Sequence, residues 1–116
     1  MPITVVEKKI EKVQLFELAK ERFGDLVKAV VDVERVIMIV GVDLHADGEA
    51  LLLEQGSRQQ DLWGINLYPE KSGEELIEFD SMINLRPSQG NRSRGVNDPT
   101  IRQKIREIVN QLIQES

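Results

Sequence analysis

Residues 76 to 95, LIEFDSMINLRPSQGNRSRG, decide the predicted fold because they begin as an alternating strand and end in a polar loop. Successive side chains of a strand point to opposite faces of a sheet, so the alternation predicts one buried face and one polar face. Pro87 should end the strand, because proline has no N–H to donate. Apart from Ser81 and Met82, the apolar face would carry Ile77, Phe79, Ile83 and Leu85, and the polar face Glu78, Asp80, Asn84 and Arg86.

A second alternating segment, residues 61 to 68, is the expected partner of this strand, and residues 69 to 74 should form the hairpin loop between them. A slip of one residue would turn every side chain over, so the two apolar faces must match. Trp63, Ile65 and Leu67 would then lie on the apolar face. Asn66 and Tyr68 would share the polar face with Glu78, Asp80, Asn84 and Arg86.

The rest of the chain adds helices and further strands. Apolar residues recur at helical spacing, and Gly24 and the pair Asp98-Pro99 mark a helix end and a helix start. A short helix from Gly48 to Gln55, capped by Asp47, is favoured over a strand by its Ala, Leu, Glu and Gln residues. The other predicted elements are helices over 12–23 and 98–114 and strands over 3–6, 26–33 and 36–40.

These elements predict one α+β domain over residues 1–116, with a mainly antiparallel sheet of four or five strands and two long helices packed on one face. The run Val36–Val40 is apolar throughout and needs cover on both faces. Because two long helices would cover mainly one face, a homodimer is predicted.

Composition excludes several classes of protein. The chain has no cysteine, which rules out a disulfide framework and fits a reducing compartment. Its N-terminal residues lack the apolar stretch of a signal peptide, and no apolar run approaches the roughly 20 residues of a membrane span. The net charge of −5 disfavours nucleic-acid binding. We therefore expect a cytoplasmic protein without a membrane or nucleic-acid partner.

Two motifs resemble a family of small bacterial proteins classed only as a domain of unknown function. The first is HADGEALLLEQGS at 45–57 followed by DLWGINLYP at 61–69, and the second is RPSQGNRS at 86–93. The resemblance covers nearly the whole chain. It implies no activity, because the family name states none.

The polar face of the sheet is the first candidate site. Glu78 and Asp80, two residues apart on a strand, would lie side by side and perturb each other's proton affinity, so either could act as a base. His45, the only histidine, would lie near them, and Asn66, Tyr68 and Asn84 would contact a ligand. The alternative is an ordinary solvated face of an antiparallel sheet.

His45 also begins the pattern H-x-D-x-E with Asp47 and Glu49. On a strand these side chains would point one way and could hold a hard divalent cation, whereas at a helix start His45 would pack at the junction and the acids would favour the helix N-terminus. One histidine and no cysteine are too few ligands for a typical zinc site. We expect no metal and no cofactor.

Residues 86 to 94 form the second candidate site. Arginine binds phosphate and carboxylate bidentately, although the spacing of a phosphate-binding loop motif is absent. The alternative is a surface loop of turn residues. The residues expected to contact a small anionic ligand are Arg86, Ser88, Asn91 and Arg92.

Three functions remain compatible with the sequence. A non-catalytic binding or self-association module is favoured. The alternatives are an anion- or nucleotide-binding protein that uses residues 86–94, and a hydrolase-type enzyme with Asp80 or Glu78 as base and His45 nearby. The sequence does not decide whether the protein is an enzyme.

Overall fold

A computed structural model describes residues 3–114 and shows an α+β fold built on a five-stranded antiparallel sheet. The strands are β1 Thr4–Val6, β2 Ile10–Glu11, β3 Val27–Asp32, β4 Ile37–Val42, β5 Leu62–Leu67, β6 Ile77–Glu78 and β7 Ile113–Gln114, and the α-helices are α1 Lys12–Glu21, α2 His45–Glu54 and α3 Pro99–Leu112. The main sheet has the order β1-β4-β3-β5-β6, while β2 and β7 pair as a separate parallel ribbon. The predicted α+β class and antiparallel sheet are confirmed.

The main sheet buries apolar side chains on both faces. On one face, α1 and α3 contribute residues such as Leu15 and Val109 to a cluster that includes Trp63. On the other face, Leu52 of α2 packs in a second cluster with Val30, Ile39 and Leu62 of the strands. Every residue of β4 is buried, so one chain covers this strand on both faces. From the sequence we predicted two long helices on one face and assigned no helix to the other face. Because α2 covers that other face, there is no uncovered face that would require a homodimer.

Helix α2 packs closely on the sheet because one of its residues is glycine. A Cβ atom at Gly48 would lie 2.9 Å from Val30 Cγ2 and 3.0 Å from Ile39 Cγ2, which is closer than real Cβ contacts normally come. The helix is confirmed over the strand alternative, but its predicted start was wrong. It begins at His45 after Leu44, so Asp47 lies inside the first turn and is not the cap.

The long strand predicted over residues 76–86 was wrong beyond its first residues. Of these residues, only β6 pairs with β5, with Leu67 opposite Ile77 and Asn66 opposite Glu78, as the matching of faces required. The chain then forms 3-10 turns at Met82–Asn84 and Pro87–Gln89. In place of a strand, Ser81 Oγ accepts a hydrogen bond from the N–H of Ile83 at the start of the first turn. Ile83 then packs against the cluster under α2 instead of beside Ile77.

Candidate functional site

Strands β5 and β6 bring three of the predicted site residues into direct contact. The Asn66 side-chain Nδ2 donates a hydrogen bond to Glu78 Oε1 at 2.8 Å, and the Tyr68 hydroxyl donates to the same oxygen at 3.0 Å. Both contacts follow from the register, in which Asn66 lies opposite Glu78. The shared polar face of Asn66, Tyr68 and Glu78 exists as predicted from the alternation.

His45 joins these residues from the first position of α2. Its side chain is 8% exposed, and its Nε2 lies 2.8 Å from the carbonyl oxygen of Ile65. A carbonyl oxygen only accepts hydrogen bonds, so Nε2 must carry the ring hydrogen. The Nδ1 atom of the neutral ring is then an acceptor. We call His45, Asn66, Tyr68 and Glu78 together the His45 cluster.

The surroundings of His45 favour its neutral form. Burial lowers the pKa of His45 and is the largest influence; the hydrogen bond to Ile65 raises it. The positive charge of Lys28 lowers this pKa further, while Asp80 and the side chain of Asn66 raise it by smaller amounts. The net direction is down, so the ring is neutral at neutral pH.

Tyr68 is also held in its neutral form. Burial raises the pKa of the Tyr68 hydroxyl, and the hydrogen bond and negative charge of Glu78 raise it further, with smaller contributions from Asp25 and Asp80. The hydroxyl therefore remains protonated and continues to donate to Glu78 in the physiological pH range.

Asn66 is the most unusual member of the cluster. It is only 7% exposed, and its Nδ2 also lies 3.4 Å from the backbone oxygen of Asp80. These two acceptors fix the orientation of the amide. The other amide atom, Asn66 Oδ1, is buried and accepts no hydrogen bond of normal geometry from the residues that the structure describes, although the His45 ring lies near enough to the Asn66 side chain for that side chain to favour a protonated ring. Buried polar atoms without a partner are rare in native proteins.

The charged neighbours of the cluster have partners elsewhere. Asp80 does not face Glu78 as a second free carboxylate, because Arg94 Nε lies 2.7 Å from Asp80 Oδ1. Lys28 lies opposite Asn66 on β3, but its ammonium group is 4.9 Å from the centre of the Phe23 ring. Neither Lys28 nor Arg94 was among the site residues predicted from the sequence. The alternation of Lys28 on β3 was a signal that could have placed it on this face.

Arg86 has a structural environment. Its side chain is 8% exposed and lies over the ring of Trp63, with Cζ 4.3 Å from the ring centre. Its nitrogens donate to the backbone oxygens of Ile83 at 3.0 Å, of Gln59 at 2.8 Å and of Leu62. The guanidinium group thus binds carbonyl oxygens of the protein, and it turns inward from the loop.

Asn84 and Asn91 also bind backbone groups. The amide of Asn84, which is fully buried, accepts from the N–H of Gly64 at 2.8 Å and donates to the oxygen of Gly64 at 3.0 Å, as a paired strand residue would. Asn91 Nδ2 donates to the oxygens of Asn84 and Gly95, and its Oδ1 accepts from the N–H of Asn97.

Ser88 and Arg92 differ from their neighbours in the loop. Both are exposed, and neither makes a hydrogen bond or ion pair within residues 3–114. The predicted anion contacts are therefore divided: Arg86 and Asn91 are turned into the protein, while Ser88 and Arg92 face solvent.

Other features of the structure lie away from the His45 cluster. Concave regions occur along α3, where Thr100 and Lys104 contribute to the lining, and between Gln59, Gln60 and Gln89. Within residues 3–114, no group of three or more His, Asp or Glu residues could hold a metal ion. The H-x-D-x-E pattern lies on α2, and the helix spreads its three side chains around the helix axis. No helix in the same part of the chain is long and apolar enough to cross a membrane.

The fold and the cluster together define an α+β protein with a polar site where the first turn of α2 meets β5 and β6. Residues 4–112 match the family described as "Protein of unknown function (DUF5674)", and the chain belongs to that family. No curated protein and no solved structure matches the chain.

Proposed function

We propose that this protein is a non-catalytic binding module that takes a small polar ligand at the His45 cluster. The observation that supports the proposal is Asn66 Oδ1, a buried oxygen without a hydrogen-bond donor among residues 3–114. Leaving such an atom unpaired costs about 1–3 kcal/mol. A ligand that donates a hydrogen bond to this oxygen would recover that free energy on binding.

The neighbours of Asn66 give a ligand a route to it. Lys28 and Glu78 lie opposite Asn66 on the strands to either side, and both are at least partly exposed. Their side chains can move aside without any change in the backbone of the sheet. The site would then open at the surface beside the start of α2.

The contacts within the cluster suit binding better than proton transfer. Within the described residues, no hydrogen bond joins His45 to Glu78 or to Asp80, so a histidine–carboxylate pair is absent. Asn66 separates the two groups. Glu78 Oε1 already accepts hydrogen bonds from Asn66 and Tyr68, which hold the carboxylate in place as a ligand contact.

A ligand-stabilisation screen tests the proposal. Wild type, Asn66→Ala and Asn110→Ala would be melted with amines, amides, nucleotides, phosphates and dicarboxylates. Stabilisation grows with ligand concentration relative to Kd, and reaches about 2.7 kcal/mol at 100 times Kd. A cluster ligand should stabilise wild type and Asn110→Ala, whose changed residue is exposed on α3, and not Asn66→Ala. Equal stabilisation of all three would contradict the proposal.

Anion or nucleotide binding by residues 86–94 is a second candidate, supported by Arg92, which is exposed and has no hydrogen-bond or ion-pair partner among residues 3–114. Ser88 would assist it, whereas Arg86 is bound to backbone oxygens. Phosphate should then stabilise wild type and Asn66→Ala, in which the loop is unchanged, but not Arg92→Ala. A hydrolase that uses Glu78 and His45 would instead lose turnover of a substrate in Glu78→Gln.

Self-association is the other form of the binding proposal. Leu44 and Met82 are both exposed, and we take them as parts of one apolar contact surface, because contiguous exposed apolar patches mark interaction sites. Light scattering would show a dimer mass for wild type and a monomer mass for Met82→Glu. The cysteine-free sequence supports the cytoplasm as the compartment in which either form would act.

A further inference from the structure

We infer that the ligand of the His45 cluster carries a cationic hydrogen-bond donor, either a primary ammonium or a guanidinium group. The inference rests on the proposed binding function and adds the chemical class of the ligand. It follows from the hydrogen-bond balance of the cluster and from its charge, which are separate observations.

The hydrogen-bond donors of the cluster are already occupied. Tyr68 and Asn66 both donate to Glu78 Oε1, and His45 Nε2 donates to the oxygen of Ile65. The atoms that remain are acceptors: Asn66 Oδ1, the Nδ1 atom of the neutral His45 ring, and Glu78 Oε2, which accepts no hydrogen bond in the described chain. A complementary ligand must therefore supply donors.

The charge of the cluster selects among donor groups. Glu78 has no ion-pair partner within residues 3–114, whereas Asp80 is neutralised by Arg94. The carboxylates of Asp25 and Asp80 also lie near enough to Tyr68 to act on it electrostatically. A hydrogen bond is roughly twice as strong when its donor or acceptor is ionised, and a cationic donor gains in addition the Coulomb attraction of the Glu78 carboxylate. An ammonium or guanidinium ligand would thus bind better than a neutral amide or hydroxyl.

Lys28 is the cation that the chain itself could offer, and it is held elsewhere. Its position opposite Asn66 would allow it to reach the cluster, but its ammonium group lies over the ring of Phe23 at 4.9 Å from the centre. The acceptors of Asn66 and Glu78 are therefore not bound by this ammonium group and could bind an external cation. Lys28 should also repel that cation, so Lys28→Met should tighten the binding of a cation and leave the binding of a neutral molecule unchanged.

NMR titration of the whole protein with small probes tests the inference. The probes are guanidinium and methylammonium as cations, acetamide as a neutral donor, and acetate and phosphate as anions, all at matched ionic strength. The readouts are the side-chain amide of Asn66 and the ring of His45, which is the only histidine and gives an unambiguous signal. Both cations should shift the two signals with saturation, and acetamide should do so more weakly.

The variants separate charge from shape. Glu78→Gln keeps an oxygen for Asn66 and Tyr68 but removes the charge, and it should weaken cation binding about tenfold. Glu54→Gln, on the exposed side of α2, is the matched control and should bind as wild type does. Saturable shifts with acetamide or an anion but not with the cations would overturn the inference and keep the binding site. Unmoved Asn66 and His45 signals with every probe would overturn both.

Discussion

The two polar regions that meet strand β5 contain similar residues, yet their hydrogen bonds are balanced differently. In the segment from Asn84 to Asn91, the side chains of Asn84, Arg86 and Asn91 bind backbone groups that would otherwise lack partners. In the His45 cluster, Asn66 has a buried oxygen to which none of the described residues donates a hydrogen bond of normal geometry. Residue type therefore does not distinguish the two regions. We propose that the balance of donors and acceptors separates a structural region from a binding region.

The segment 84–91 serves as a substitute for a strand. Asn84 makes with Gly64 the pair of hydrogen bonds that a neighbouring strand residue would make. The close approach requires glycine, because a Cβ at position 64 would lie 2.5 Å from Ser81 Oγ. Arg86 then binds the segment to the start of β5 through the oxygen of Leu62, and to the turn before β5 through the oxygen of Gln59. These polar residues stabilise the fold, as apolar residues do elsewhere.

The largest effect is expected at Trp63, which supports the guanidinium group of Arg86. Trp63 is 3% exposed and belongs to the main core cluster, so Trp63→Ala should lower the free energy of unfolding by about 3–5 kcal/mol. Urea unfolding measures this change. Phe23→Ala, at a ring that is 42% exposed, is the control and should cost much less. An unchanged midpoint for Trp63→Ala would remove Trp63 from the core.

The next effect separates two arginines of the loop, Arg86 and Arg92. Arg86→Met keeps an apolar stem over Trp63 but leaves buried carbonyl oxygens without donors, so it should cost about 2–4 kcal/mol of unfolding free energy. Arg86→Lys should rescue little, because one ammonium cannot replace the planar fork of donors. Arg92→Ala, at an exposed residue, should change stability by less than about 0.5 kcal/mol. Equal losses of unfolding free energy for Arg86→Met and Arg92→Ala would contradict the distinction between an inward-turned Arg86 and a solvent-facing Arg92.

A pair of asparagine substitutions compares the two regions directly. Asn84→Ala leaves the N–H and oxygen of Gly64 unpaired in a buried place and should cost about 2–3 kcal/mol. Asn66→Ala loses its bond to Glu78 but also removes the unpaired oxygen, so its cost should be under about 1 kcal/mol. Urea unfolding of both variants measures the difference. A larger loss for Asn66→Ala would mean that the cluster is structural too.

The sequence predicted the elements whose signals are local, that is, carried by the residues of the element itself. The stripe of α3, the cap at Asp98 and the runs of β3 to β5 are local, and Asp98 Oδ1 does accept from the N–H of Thr100 at 2.8 Å. The prediction that β6 continues was wrong because the side chain of Asn84 binds both backbone groups of Gly64, 20 residues away in the sequence. No local pattern records such contacts.

For the candidate site, too, the sequence predicted some contacts and missed others. The alternating pattern predicted that Asn66, Tyr68 and Glu78 share one face, and in the structure Asn66 and Tyr68 both contact Glu78. The inward turn of Arg86 could not be foreseen, because an arginine in a glycine-rich loop has the same sequence pattern whether it binds an anion or a carbonyl oxygen. The contact of His45 with Ile65 depends on how α2 packs across the sheet.

The smallest expected effect is the pH dependence that His45 contributes to stability. Burial lowers the pKa of His45 in the folded protein, whereas in the unfolded chain the ring takes up its proton near pH 6.5. Below about pH 6.5 the unfolded state therefore binds more protons, so the free energy of unfolding should fall as the pH drops towards the folded pKa and level off beneath it. Above about pH 6.5 the ring is neutral in both the folded and the unfolded state, so the free energy of unfolding keeps its full value.

NMR titration of the single histidine, together with urea unfolding at about pH 7.5 and about pH 5.5, measures this dependence. His45→Gln keeps a donor that can reach the oxygen of Ile65 but cannot titrate, so the difference between wild type and this variant isolates one proton. Guanidinium should lower the His45 midpoint further, because a bound cation and a protonated ring repel each other. A ring that titrates at or above pH 6.5 would be solvated or paired with an acid, and the cluster could not then be the acceptor-rich site that distinguishes it from the segment 84–91.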